Sequence, residues 1–302
     1  MPEKNILKIT MKNLVFSFII PAHNEEKVIG SSLESIKKQE SKKNYEIIVI
    51  NDGSKDKTLE IVKKYKDVRL INFKDGHSAA FARNRGAEKA KGEYLIFLDA
   101  DQILENGFLD KLNMVVGERK FNVAAFRIHS ASPKSIFQRG WHAYRKYNKC
   151  AAIIIKRKLF NEIKYREDLF YVEDDVLFEE AIKRGNKLEE TGAFVYHIDP
   201  KTLKDYWRQR KWQGRGLVMK IFLLKKYWAF RHFIPCLIIP LTIITPYIII
   251  AYLAGGFIFF TMKTKEPINS LLWILTDFAG RYISLFYFLV YSLAAGIKGK
   301  II

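Results

Sequence analysis

Two carboxylates one residue apart, Asp99 and Asp101, close the apolar run Tyr94-Leu95-Ile96-Phe97-Leu98. Hard oxygen ligands at the end of a buried strand suit Mg²⁺ or Mn²⁺ carrying a diphosphate. Side chains alternate along an extended chain, so Asp99 and Asp101 are expected to point the same way with Ala100 turned aside. An Asp-x-Asp also occurs where a strand merely ends in a polar turn, so its meaning depends on what surrounds it. A second acidic run, Glu173-Asp174-Asp175, precedes a helical pattern. Acids there can serve as proton acceptors or simply favour a helix N-terminus.

Positioning these groups requires a scaffold, and the hydrophobic pattern supplies one. Val15–Ile20, Tyr45–Ile50, Val68–Phe73 and the run ending at Leu98 read as strands. Helical spacing between them runs through Ile29, Leu33 and Ile36, through Leu59, Ile61, Val62 and Tyr65 with Asp56 as N-cap, and over Ala79–Ala90. Strands alternating with helices predict right-handed βαβ units and a mostly parallel, Rossmann-like α/β sheet. Ligands bind such sheets beyond the carboxyl ends of the strands. The polar clusters at residues 21–26, 51–54 and 99–101 all fall there. Farther on, Phe121–Ile128, Ala151–Ile155 and Ala193–His197 are predicted strands, and Ile136–Tyr147 and Val176–Arg184 predicted helices.

Charge and hydropathy divide the 302 residues. The formal net charge is +19, and Lys201–Arg231 holds ten Lys/Arg against one Asp, a local balance of +9. Tyr206, Trp207, Trp212, Leu217 and Phe222 are interleaved with those bases, the pattern of helices in a membrane interface. Phe233–Phe260 is uncharged for 28 residues, and a second apolar run, Leu271–Ile297, contains only Asp277 and Arg281, four apart on one helical face. The reading is therefore a catalytic domain over 1–200, basic interface helices over 201–232, and an anchor of two transmembrane helices over 233–302. No nucleic-acid motif accompanies the basic charge, so an anionic lipid bilayer is the expected partner and nucleic acid is not. Only Cys150 and Cys236 occur, which disfavours a structural disulfide. Met1–Asn13 is polar and is read as carrying no secretory signal. The flanking bases Lys225, Lys226, Arg231, Lys298 and Lys300 predict a multi-pass protein of the cell membrane whose catalytic domain and tail face the cytoplasm.

In this order and spacing the motifs resemble those of a family 2 glycosyltransferase with the GT-A fold. The resemblance covers roughly residues 14–200. It rests on Pro21-Ala22-His23-Asn24-Glu25, Asn51-Asp52-Gly53-Ser54, Ala82-Arg83-Asn84-Arg85-Gly86, Leu98-Asp99-Ala100-Asp101 and Glu173-Asp174. It implies a nucleotide-sugar donor, UDP- or GDP-linked, held by Pro21, Asn24, Glu25, Asp52, Arg83 and Asp99. Glu25 and Asp52 would face the base, where a carboxylate can accept from a uracil or guanine N–H. Asp99 would face ribose and metal, Asp101 would be the principal metal ligand, and His197 resembles a histidine found near the metal in some members. Asp174 resembles the catalytic base of an inverting transfer, taking a proton from the acceptor hydroxyl as it attacks the anomeric carbon. The implied acceptor is a lipid-linked or membrane-proximal glycan.

Two departures bear on the acceptor. Arg208-Gln209-Arg210-Lys211-Trp212 lacks the Gln-x-x-Arg-Trp spacing of processive synthases, which argues against polymer synthesis. Gln102-Ile103-Leu104-Glu105 lacks the Gln-His-Pro-Pro pattern of dolichyl-phosphate mannose synthases, and a phosphate acceptor needs no base. A polyprenyl-phosphate sugar synthase remains the alternative, separated by acid-labile product. A catalytically inactive nucleotide-binding membrane scaffold is another, separated by binding without turnover.

Overall fold

The computed structural model describes residues 15–39, 45–118, 121–131, 134, 138–139, 151–169, 172–199 and 202–218, with helical residues at 254–259, 261–262, 267–268, 271, 274–275, 277 and 281. The chain forms two compact units. The first comprises Met1–Phe126, Ala152–Tyr165 and Leu177–Phe194, and the second Arg127–Ala151, Arg166–Val176 and Val195–Ile302.

The first unit is built on β1 (Phe16–Ala22), α1 (Ile29–Lys37), β2 (Tyr45–Asp52), α2 (Thr58–Lys63), β3 (Val68–Phe73), α3 (Ala79–Lys89) and β4 (Tyr94–Phe97). There follow β5 (Gln102–Leu104), α4 (Phe108–Glu118), β6 (Val123–Ser130), β7 (Ala151–Lys156), α5 (Arg157–Ile163), α6 (Glu173–Lys183) and β8 (Leu188–His197). The strands join in the order β3-β2-β1-β4-β7-β6-β8-β5. β1 pairs in parallel with both β2 and β4, and β2 with β3, whereas β7 runs antiparallel to β4. The predicted parallel half is thus present, with its helices in the predicted places.

Burial explains why these strands read as continuous apolar runs. Phe16, Phe18, Ile19 and Ile20 are all fully buried, so β1 is covered on both faces and gains nothing from alternation. Helix α3 lies close over β1 and β2, and Gly86 permits it. A Cβ at Gly86 would sit 2.6 Å from both Ile19 Cγ2 and Ile50 Cδ1. On the antiparallel side Phe97, Phe160 and Tyr165 form an aromatic cluster with centroids 5.0 Å apart from Phe97 to each partner.

Several expectations are corrected. The chain is not extended through Asp99–Asp101: β4 stops at Phe97, and Gln102 N–H donates to Asp99 O at 3.0 Å, closing a turn. The alternation argument for Asp99 and Asp101 therefore does not apply. β8 starts at Leu188, not Ala193, because its first half carries Glu189 and Glu190 and shows no apolar run. Helix α6 includes Glu173, Asp174 and Asp175 in its first turn instead of following them. The predicted strand at 121–128 is shifted to Val123–Ser130. The predicted helix over 136–147 lies outside the described residues except at 138–139.

In the second unit, α7 (Leu203–Val218) occupies the start of the basic segment. Tyr206 and Arg210 are buried on it, and the Arg210 guanidinium lies 5.0 Å from the Tyr206 ring centroid. Asp277 Oδ2 accepts from Arg281 Nε at 2.6 Å, the pairing that their four-residue spacing predicts, and Arg210 Nη2 reaches Asp277 Oδ1 at 3.5 Å. Among the described residues no helix is long and apolar enough to cross a membrane. The expected span at 233–260 lies outside them save for 254–259, and of 271–297 only 271, 274–275, 277 and 281 are described.

Candidate active site

The loops leaving β1 and β2 are adjacent because the strands are neighbours, and side chains then tie them together. Asn24 N–H donates to Ser54 Oγ (2.9 Å) and Asn24 Oδ1 accepts from Lys55 N–H (2.8 Å). Glu25 N–H donates to Thr58 Oγ1 (2.7 Å), Glu26 N–H to Asp56 Oδ2 (3.0 Å), and Lys57 N–H to Glu26 Oε2 (3.1 Å). His23 Nδ1–H donates to the Asp52 carbonyl at 2.6 Å. These six bonds form a clasp. Asn24 adopts φ 59°, a left-handed conformation that Asn tolerates better than most residues. Asp56 is not the N-cap expected of it: Lys57 holds that position without a side-chain cap, and Asp56, one residue earlier, accepts from Thr58 N–H and also serves the first loop. Burial alone pushes its carboxyl up, but hydrogen bonds from Thr58 and from the Glu26 amide hold it below its ordinary value.

Asp52 is buried at the end of β2 and has both oxygens engaged by one residue absent from the sequence reading. His77 N–H donates to Oδ2 and His77 Nδ1–H to Oδ1, each at 2.8 Å. A carboxylate offers only acceptors, which assigns the proton to Nδ1. The imidazole stacks on Phe81 with centroids 4.0 Å apart and planes at 12°, and Phe73 meets it edge-on at 5.6 Å. The backbones of these loops are in contact at Gly53, which has φ +68°; a Cβ there would lie 2.4 Å from Gly76 N and 2.6 Å from Asp75 C. No side chain but hydrogen fits.

Arg83 and Asn84 on α3 are both buried. Arg83 Nη2 donates to Asp99 Oδ1 at 2.8 Å, and its guanidinium lies 5.3 Å from the Tyr165 ring centroid. Gln102 Nε2 donates to the other Asp99 oxygen at 3.1 Å. Asn84 pairs twice with the Tyr165 backbone, Nδ2–H to O at 2.9 Å and Oδ1 from N–H at 3.0 Å. Asp99 is thus oriented from two sides with its side chain 45% exposed, and half-buried Asp101 follows it in the same turn. Pro21 lies within β1, its Cα in register with Ile50.

Asp174 and His197 belong to the second unit. Asp174 is exposed in the first turn of α6, next to buried Glu173 and exposed Asp175. That turn is seated by Val172, buried with Leu169 and packed by Val176. Glu173 suits an acceptor arriving from solvent less well than Asp174 or Asp175, because its side chain is buried. His197 Nδ1 lies 3.2 Å from Oδ1 of fully buried Asp199, a residue not singled out from sequence.

Among the described residues no three His, Cys, Asp or Glu side chains gather as a closed metal centre. Mg²⁺ usually takes one or two carboxylates and completes its shell with phosphate oxygens and water. Asp101 and the half-exposed Asp99 fit that donor set.

Comparisons with known proteins point the same way. The family model described as "Glycosyl transferase family 2" matches residues 17–181. An uncharacterised glycosyltransferase of Haemophilus influenzae is 40% identical over 101 residues, 32% of this chain and 40% of that protein. The poly(ribitol-phosphate) β-N-acetylglucosaminyltransferase TarS of Staphylococcus aureus is 25% identical over 205 residues, 62% of this chain and 35% of TarS. The chain therefore spans well under half the length of these relatives. Among solved structures, residues 1–349 of TarS in complex with UDP-GlcNAc align with TM-score 0.54 at 19% identity, covering 95% of this chain and 92% of that one. The mannosyltransferase PcManGT of Pyrobaculum calidifontis, in complex with GDP-Man and Mn²⁺, aligns with TM-score 0.62 at 16% identity, covering 92% and 87%. At such identities the structural likeness is one of fold.

Proposed function

Because the chain belongs to glycosyl transferase family 2 and has its GT-A fold, we propose that it is an inverting, metal-dependent glycosyltransferase acting on a nucleotide-sugar donor. The observation that carries this is the strand order. β1, β2 and β4 are neighbours running in parallel, so their carboxyl ends bring the Asn24–Glu25 loop, Asp52 and the Asp99–Asp101 turn to one sheet edge. Pro21, Asn24, Glu25 and Asp52 serve the base side of the donor, Arg83 and Asp99 the ribose and diphosphate side. Arg83 acts chiefly by holding Asp99 in place.

Asp101, with Asp99 and His197, would hold Mg²⁺ or Mn²⁺, and a bound ion would neutralise charge growing on the departing diphosphate. Asp174 takes the acceptor hydroxyl's proton, and its exposure at a helix start supports that role. The acceptor is a lipid-linked or membrane-proximal glycan. The supports are the local charge of +9 across Lys201–Arg231 and the uncharged stretch Phe233–Phe260. In this reading residues 1–200 catalyse from the cytoplasmic face, 201–232 rest on an anionic bilayer, and 233–302 anchor the chain by two spans. TarS and PcManGT were solved with UDP-GlcNAc and with GDP-Man and Mn²⁺, which supports a donor of this class.

The test is a screen of UDP- and GDP-sugars with purified full-length protein, Mn²⁺ and a membrane lipid extract, following release of nucleoside diphosphate. Acceptor-dependent release from at least one donor is expected. Binding of nucleotide with no release from any donor would overturn the assignment in favour of a nucleotide-binding scaffold.

A further inference from the structure

The donor's base can be narrowed further, an inference that rests on the nucleotide-sugar reading. Asp52 is the carboxylate at the base end of the site, and its two oxygens are held by two donors of the same residue, His77 N–H and Nδ1–H, each at 2.8 Å. When neighbouring donors span both oxygens of a carboxylate, they take the edge on which its two inner lone pairs converge. That edge is the one that a two-donor fork needs. What remains to Asp52 is one outer lone pair on each oxygen, and its side chain is only 8% exposed, so access is narrow.

The imidazole side chain is 39% exposed but is packed by aromatic rings on two sides. It is stacked on Phe81 at 4.0 Å, Phe73 closes its edge, and the Arg85 guanidinium lies over the Phe81 ring at 4.7 Å. The backbone on either side is fixed by the contact between Gly53 and Asp75–Gly76, where even a methyl group would not fit.

Guanine presents two adjacent donors, an imide-type N–H and an amino group, and pairs with a carboxylate through that same inner edge. Uracil presents one imide N–H flanked by carbonyls and needs a single oxygen. We infer that His77 is a specificity-determining and positioning residue: by occupying the forked edge of Asp52 it commits the site to a base offering one N–H, a uracil nucleotide, over guanine. His77 acts through Asp52 and needs no contact of its own with the base. Sites built around one hydrogen-bonding pattern reject ligands that mismatch it far more strongly than apolar pockets do.

The experiment is calorimetric titration of the full-length protein with UDP and with GDP in Mn²⁺ buffer, for the parent, His77→Ala and His77→Asn. The parent should bind UDP at least about tenfold more tightly than GDP. His77→Ala should weaken UDP by about tenfold and bring the UDP/GDP ratio towards unity, since it frees the forked edge. His77→Asn keeps a side-chain N–H near the position of Nδ1 and should restore the ratio. A change in thermal stability alone would not move that ratio. Should His77→Ala not fold, the parent ratio and His77→Asn decide. Tighter or equal binding of GDP by the parent would overturn the inference while leaving a nucleotide-sugar enzyme standing, as would an unchanged ratio in His77→Ala. Binding of neither nucleotide would overturn both.

Discussion

Replacing Gly53 by Ala strikes the donor site through backbone geometry alone. The residue has φ +68°, and in that region an L side chain costs about 1–2 kcal/mol. The added methyl carbon would also lie 2.4 Å from Gly76 N and 2.6 Å from Asp75 C, backbone atoms that cannot rotate away. Overpacking of this kind costs about 1–3 kcal/mol. Reduced freedom of the unfolded chain returns about 0.4–1 kcal/mol, leaving a net loss of about 1–5 kcal/mol. At about 2–4 °C per kcal/mol for a domain of this size, Gly53→Ala should lower Tm by about 2–20 °C. Gly117 is the control: it lies in α4, its φ is not positive, and a methyl there meets nothing within 4 Å. Gly117→Ala should raise Tm by about 1–4 °C. Differential scanning calorimetry reads both, and titration with UDP should show weaker binding for Gly53→Ala, because the displaced 74–77 loop carries His77. A Gly53→Ala protein that melts within a degree of the parent would refute the reasoning.

Chelation with EDTA should abolish sugar transfer and Mn²⁺ or Mg²⁺ restore it, while Asp101→Ala should resist rescue; full turnover in chelator would remove the metal. Asp174→Asn should lower kcat by about 10²–10⁴ with donor KM little changed, and a fully active Asp174→Asn beside a dead Asp175→Asn would move the base by one residue. Asp56 makes a pH prediction. Its folded pKa lies below the ordinary 3.8, so its stabilisation is complete above about pH 4 and is lost as pH falls through the depressed value. The Tm difference between parent and Asp56→Asn should therefore shrink from pH 5 to pH 2, and a difference constant over that range would show that Asp56 carries no such linkage.

The parallel half of the fold was legible because strands buried on both faces write themselves as unbroken apolar runs, as Phe16–Ile20 does. The places of Asp52 and Asp99 were legible because each follows the end of such a run. His77 was not. It lies in the aperiodic 74–78 segment, and its bonds to Asp52 depend on a close approach of two loops that only the folded backbone displays. The burial of Arg83 was hidden for a different reason: α3 is rich in small residues and alternates little between apolar and polar, so no face stands out as the inner one. The turn at Asp99–Gln102 depends on the side chain of Gln102, which bonds both the amide and the carboxylate of Asp99. Asp199 sits beyond the end of β8, where no periodic signal reaches.

The clasp between the first two loops has a consequence for binding thermodynamics. A segment that is ordered only on ligand arrival charges about 1–2 kcal/mol of backbone entropy per residue against affinity. Residues 23–26 and 52–58 hold one another through protein atoms, so that ordering belongs to folding and not to association. Heat capacity and entropy of UDP binding should then resemble those of a preformed pocket. The same bonds also sort the loop by tolerance to change. Lys55 and Lys57 contribute only main-chain N–H groups and can be replaced freely, whereas Asn24, Glu26, Asp56 and Thr58 act through side-chain oxygens that few other residues can reproduce.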